Sequence, residues 1–184
     1  MNLKQQLLDF QPLNEEEAAN VDAFLQFIEG FHENIWTRDN CVGHVTVSAW
    51  VTNPARDKVL MAYHKIYNSY AWLGGHADGE RDLLWTAIKE AREESGIDNF
   101  RVVQPDFIDV CPLIVKPHLK RGVPVVSHLH FNLTYWLEAE EEETPRVAPM
   151  ENLSVQWLPV KWLSNYISEE HMKPIYQRLI EKTS

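Results

Sequence analysis

The sequence predicts an α/β protein, an α/β/α sandwich on a mixed sheet with a helical extension at its N-terminus. Three observations carry this. Residues 1–40 repeat apolar side chains at helical spacing. Residues 44–65 alternate apolar and polar side chains at strand spacing. Residues 74–97 pass from a glycine-rich loop into an acidic helix that Gly96 ends.

In the first segment Leu3, Leu7 and Leu8 mark a short helix ended near Pro12. Asn14 followed by Glu17 has the pattern of a capping box, and Val21, Phe24, Leu25, Ile28 and Phe31 then share one helical face. That stripe needs cover. Packing on the rest of the chain is the expectation; the alternative is a subunit interface, which would make the protein a homodimer. The division is therefore an extension over 1–40 packed on a main domain over 41–184.

Strands follow. Val45, Val47, Ala49 and Val51 alternate with His44, Thr46, Ser48 and Trp50; Asn53 and Pro54 open a turn, and residues 59–65 return. Trp72 and Leu73 lead into the loop. The acidic helix is expected over about 82–95, with Leu84, Ala87, Ile88 and Ala91 buried, Glu90 and Glu94 bordering that stripe, and Glu93 further round. Strands are predicted near 100–103 and 107–115, then a loop carrying Lys116, His118, Lys120 and Arg121. Residues 125–138 form the longest predicted strand. One face holds Leu129, Phe131, Leu133, Tyr135 and Leu137, and the other holds His128, His130, Asn132, Thr134 and Trp136. A solvated turn at 139–145, a short strand at 155–158 and a helix at 162–166 come next. Ser168 is read as the cap of a last helix that buries Met172, Ile175, Leu179 and Ile180.

The bulk properties fit one domain of 184 residues, 45% of them hydrophobic. A net charge of −10 argues against a nucleic-acid backbone as partner, while leaving room for a nucleotide held through metal. Cys41 and Cys111 form no CxxC pair and need no disulfide, so a reducing cytoplasm is expected. No basic-then-apolar leader and no apolar run of membrane-spanning length are present, and no membrane partner is expected.

Glu90, Glu93 and Glu94 stand at i, i+3 and i+4, neighbours on a helix. Three such carboxylates repel unless a cation lies among them, and hard oxygens suit Mg²⁺. The stretch Lys89, Glu90, Ala91, Arg92, Glu93, Glu94, Ser95, Gly96, Ile97, with Gly75 fourteen positions before Lys89, resembles the signature of the Nudix hydrolases. There are two departures. The signature's first Glu falls at Arg81, with Glu80 one residue early, and Lys89 replaces an Arg. The GGHADG loop is similar to that of a subgroup with the same shifted Glu.

The resemblance covers about residues 43–165. It implies the Nudix-type sandwich, Mg²⁺ or Mn²⁺, and hydrolysis of a phosphoanhydride in a nucleoside-diphosphate-linked or related phosphorylated small molecule. It implies metal ligands at Glu90, Glu93, Glu94 and the Gly75 carbonyl, and catalytic roles for Glu93, Glu90 and Lys89. Glu93 and Glu151 are the candidates for general base. Lys89 is expected to pair with Glu80 or Asp82 and brace the loop, while His76 and Asp78 shape it. The alternative is a Nudix-fold ligand-binding or regulatory module without turnover.

His128 and His130 share a strand face and are read as ligands of substrate phosphate, with Lys120 and Arg121 as cationic helpers. The competing reading is a hydrogen-bonded pair on a semi-polar sheet face. A metal site made of these two alone lacks a third ligand.

Overall fold

The structure, a computed structural model, describes residues 2–64, 68–120, 122–142, 145 and 152–184. In chain order it contains α1 (Leu3–Asp9), α2 (Glu15–Phe31), β1 (Gly43–Thr52), β2 (Lys58–His64), β3 (Ser69–Ala71) and β4 (Leu73–His76). These are followed by α3 (Leu83–Ser95), β5 (Arg101–Val102), β6 (Asp109–Val115), β7 (His118–Lys120), β8 (Val123–Val125), β9 (His128–Glu138), β10 (Asn152–Pro159) and α4 (Lys173–Thr183).

Alternation makes β1 and β9 the centre. They run parallel for ten residues, Gly43 opposite Leu129 through Thr52 opposite Glu138. β4 and β2 pair antiparallel with the other edge of β1, β10 and β3 with β2, and β6 and β5 with the far edge of β9. The sheet is therefore mixed. Every residue of β1 is buried, so both faces are covered. On one face Val45, Val47, Phe131, Leu133 and Tyr135 pack under α1, α2 and α3. On the other, Trp50, Met61, Cys111 and Trp136 pack under Ile175, Tyr176 and Leu179 of α4. Helices on both faces give the α/β/α sandwich.

The N-terminal stripe is held against β9. Phe27 stacks on Phe131 with ring centroids 4.0 Å apart, and Phe24 lies 5.0 Å from the same ring. Each buried Phe of this kind contributes about 1.5–3 kcal/mol. Asn14 caps α2 by accepting the Glu17 N–H at 2.9 Å. Glu17 does not reach back to Asn14 as a capping box would. One oxygen accepts the Leu13 N–H at 2.7 Å, and the other accepts from Lys182 of α4.

That contact belongs to a buried ionic cluster. Arg178 donates to both Asp109 oxygens, at 2.6 and 3.1 Å, and lies 3.7 Å from Glu17. Lys182 also donates to the Ile108 carbonyl at 2.6 Å. Glu17, Asp109 and Arg178 are all buried, so two acids and two bases compensate one another out of water. The cluster ties α2 and α4, from opposite faces, to edge strand β6.

Other details depart from expectation. Residues 118–120 and 123–125 pair antiparallel as β7 and β8 where a loop is the expectation, with Leu119 opposite Pro124. Ser168 does not cap the last helix; its hydroxyl donates to the Asn68 carbonyl, and α4 begins five residues later with Pro174 in its first turn. Cys41 is exposed, Cys111 is buried, and both are free thiols. Among the described residues no helix is long and apolar enough to cross a membrane.

Arg178→Met should cost about 3–5 kcal/mol, because it leaves Glu17 and Asp109 buried with Lys182 as their remaining cation. Urea denaturation at pH 7 measures this; a loss below 1 kcal/mol would show that the cluster contributes little.

Candidate functional site

Two adjacent glycines fix how α3 meets the sheet. In β4, Leu73, Gly74, Gly75 and His76 lie opposite Ala49, Ser48, Val47 and Thr46 of β1. A Cβ on Gly74 would stand 2.3 Å from the Val47 carbonyl oxygen, and one on Gly75 would stand 2.4 Å from the Glu90 carboxyl carbon. Gly74 is thus required by space, whereas a side chain at Gly75 would displace the Glu90 carboxylate. The chain then turns through Asp78 and Gly79, which have φ of 46° and 95°. Glu80 accepts the backbone N–H groups of Arg81 and Asp82, at 2.6 and 2.9 Å. Asp82 caps α3 by accepting the Trp85 N–H at 2.9 Å. Gly96 ends the helix in the left-handed conformation, its N–H donating to the Arg92 carbonyl at 2.8 Å.

The three acids take up graded positions. Glu94 is buried and accepts the Gly74 N–H at 3.1 Å. Glu90 lies against Gly75, and Glu93 is the most exposed of the three. The expected brace is corrected: Lys89 pairs with neither Glu80 nor Asp82. Its ammonium donates to Glu90 and Glu93, each at 3.1 Å. Glu80 and Asp82 are committed to backbone N–H groups, and like-charge repulsion on α3 draws the nearest cation inward. Burial lowers the Lys89 pKa, but the two carboxylates outweigh it and hold it above the usual lysine value. The donor set beside Gly75, hard carboxylate oxygens, fits Mg²⁺ or Mn²⁺ in kind. The three glutamates do not converge into a tight ligand set; among the described residues the side chains that do are histidines.

His128 and His130 lie on the sheet face away from Leu129 and Phe131, as read from the alternation, and they gather with two imidazoles from other strands. His44 of β1 lies opposite His130 in the parallel register. His76 of β4 lies opposite Thr46, two residues along from His44 on the same face. His76 Nε2 and His130 Nε2 are 3.3 Å apart. The His44 ring is 4.9–5.1 Å from the rings of His76, His128 and His130. Alternation along β4 points Gly75 toward Glu90 and His76 to the opposite face. The imidazoles therefore gather behind β4 from the acids. Beside them Arg38 and Asp78 form a bidentate ion pair, with Nε to Oδ1 at 2.8 Å.

Burial, then the neighbouring charges of His76, His44 and His128, pushes the His130 pKa down to about 2, and burial likewise lowers that of His44. Both are therefore neutral at pH 7. A neutral His130 would meet a substrate phosphate through a hydrogen bond and not through charge. Lys120 lies at the end of β7, and Arg121 and Glu151 fall outside the described residues. His44 and His76 were missed as partners of His128 and His130. The parity of His44 with Thr46 and Ser48, and the adjacency of His76 to Gly75, were the available signals.

A histidine with a depressed folded-state pKa binds fewer protons folded than unfolded below pH 6.5. Its stability contribution is full above that pH and is lost as pH falls toward the folded value, by up to about 1.4 kcal/mol per pH unit. In chelator-treated protein, stability should therefore drop between pH 7.5 and 5.5, and His130→Asn should flatten the dependence. Identical pH slopes for parent and variant in urea titrations would refute this origin.

A family model described as the NUDIX domain matches residues 42–179. A hydrolase of the NUDIX family from Clostridium perfringens is 21% identical, over 75% of this chain and 96% of that one, with a TM-score of 0.53. The dihydroneopterin triphosphate pyrophosphohydrolase of E. coli is 15% identical, over 74% and 94%, at 0.56. A C. elegans Ap4A hydrolase in a binary complex is 14% identical, over 73% and 93%, at 0.51. At these identities the structural likeness is one of fold. No curated protein matches the chain by sequence. The family match opens at the head of β1 and closes within α4, so it spans the loop, the acidic helix and the sheet that carries them: the chain belongs to the Nudix hydrolase family.

Proposed function

We propose that the protein hydrolyses a phosphoanhydride bond in a nucleoside-diphosphate-linked or related phosphorylated small molecule, with Mg²⁺ or Mn²⁺ as cofactor. The observation that carries this reading is the docking of Glu90 and Glu94 on the Gly74–Gly75 segment, in a chain of this family. Glu90, Glu93, Glu94 and the Gly75 carbonyl would hold the metal. When bound, it neutralises phosphate charge and lowers the pKa of a coordinated water.

The chain's own residues supply the rest. The Gly74 N–H orients Glu94. Lys89 holds Glu90 and Glu93 in place until a stronger cation arrives. Glu93, the most exposed of the acids, would take a proton from water; Glu151 is the other candidate. Lys120, at the end of β7, and Arg121, which follows it in the sequence, would serve as cationic contacts for substrate phosphates. The net charge of −10 supports a small substrate over a nucleic acid, and the free thiols support a cytoplasmic setting. The pyrophosphohydrolase and Ap4A hydrolase that share the fold supply substrate classes for a first panel.

A second reading is a binding module without turnover. It is favoured by Lys89, which already compensates two of the acids, and by Arg81 in the place of the first signature Glu. Phosphate release from a panel of nucleotides and phospho-metabolites, with and without Mg²⁺, separates the two. Glu94→Gln should lower turnover by orders of magnitude while leaving the fold intact; full turnover at saturating Mg²⁺ would sink the metal assignment. Lys89→Met should destabilise the metal-free protein by a few tenths of a kcal/mol and enlarge its thermal shift with Mg²⁺. An unchanged shift would mean that Lys89 does not compete with the metal.

A further inference from the structure

We propose that His44, His76 and His130 form a binding site for one first-row transition-metal ion, Zn²⁺ by its chemistry, separate from the carboxylate site on α3. Their donor nitrogens all lie within 4.8 Å of one another. Two nitrogens on a tetrahedral zinc, each bound at about 2.0–2.1 Å, stand about 3.3 Å apart. The His76–His130 Nε2 separation is already 3.3 Å. Bringing the third ligand from within 4.8 Å to about 3.3 Å of the other two needs a side-chain shift of up to about 1.5 Å.

His44 gives the independent reason to place a ligand there. It is 4% exposed, and neither of its ring nitrogens has a hydrogen-bond partner. The nearby Asn40 backbone offsets part of the burial effect, but neither ring nitrogen meets it within hydrogen-bond distance and angle. A buried polar group left unsatisfied costs about 1–3 kcal/mol, and buried imidazoles are ordinarily paired. A metal satisfies His44 and its neighbours at once.

The ligand type selects the ion. Neutral imidazole suits zinc, cobalt, nickel or copper, while Mg²⁺ requires oxygen. The Arg38 charge nearby is compensated by its bidentate contact with Asp78, so it does not face an incoming cation alone. His76 and His130 are partly exposed, which leaves a path for entry and a fourth position for water, His128 or an anionic ligand. β9 thus supplies one ligand, His130, and the other two come from β1 and β4.

The test uses full-length protein stripped with chelator and titrated with CoCl₂. Saturable visible absorption at one equivalent, bleached by ZnCl₂, is expected. His76→Ala and His130→Asn should each weaken cobalt binding about tenfold or more, while Glu94→Gln should leave it unchanged. His44→Ala should do the same if it folds by circular dichroism; His76→Ala, at a partly exposed position, decides the matter if it does not. Absence of saturable absorption in folded parent protein would overturn the site. So would bands that survive every histidine substitution or that vanish in Glu94→Gln.

Discussion

The parallel register between β1 and β9 is the constraint on which the other elements depend. Side chains alternate along both strands, so a slip of one residue would exchange the Val45–Phe131 face for the His44–His130 face. It would drive imidazoles under α2 and aliphatic side chains under α4. The two strands are joined by a long stretch of chain that includes β2, β4 and α3, so the register is non-local. It is fixed by burial on both faces rather than by a turn. A polar ladder lies on the α4 side: the Thr46 and Ser48 hydroxyls donate to Asn132 Oδ1, at 3.1 and 2.8 Å, and Trp136 donates to Thr52 at 2.9 Å. These bonds satisfy the buried polar atoms beyond the histidines, and they are lost in any other register.

β4 then separates two kinds of chemistry by a single residue. Gly75 faces α3 because a side chain there would collide with Glu90; His76 faces the other way because the next residue of a strand must. Oxygen donors collect on one side and nitrogen donors on the other. The same short strand positions both, which links the geometry of the acids to that of the imidazoles.

The fold was legible because its signals are periodic. The α2 stripe, the alternation in β1 and β9, and the Gly75-to-Gly96 span are all properties of residue order. The placement of Glu90, Glu93 and Glu94 on α3 was legible because spacing within one element suffices. Legibility failed where partners come from different elements. The destination of Lys89 depended on Glu80 and Asp82 being taken up by backbone N–H groups, a local turn geometry that composition does not reveal. His44 and His76 joined His128 and His130 only through strand pairing. Glu17 read as part of a cap, yet its main role is with Lys182, 165 residues away.

The ionic cluster at the edge of β6 has a consequence for what counts as a module here. The family match includes Asp109 and Arg178 but leaves Glu17 and Lys182 outside its limits. A fragment cut at those limits would keep the Arg178–Asp109 pair, lose both Glu17 and Lys182, and uncover Phe131. The inherited unit and the cooperative unit are therefore different lengths of chain. Grafting only the shared portion onto another protein would transplant one ion pair without the second pair packed against it. Substitutions in α2 and in the tail of α4 are expected to co-vary with β6 even though neither helix end lies near the acids of α3.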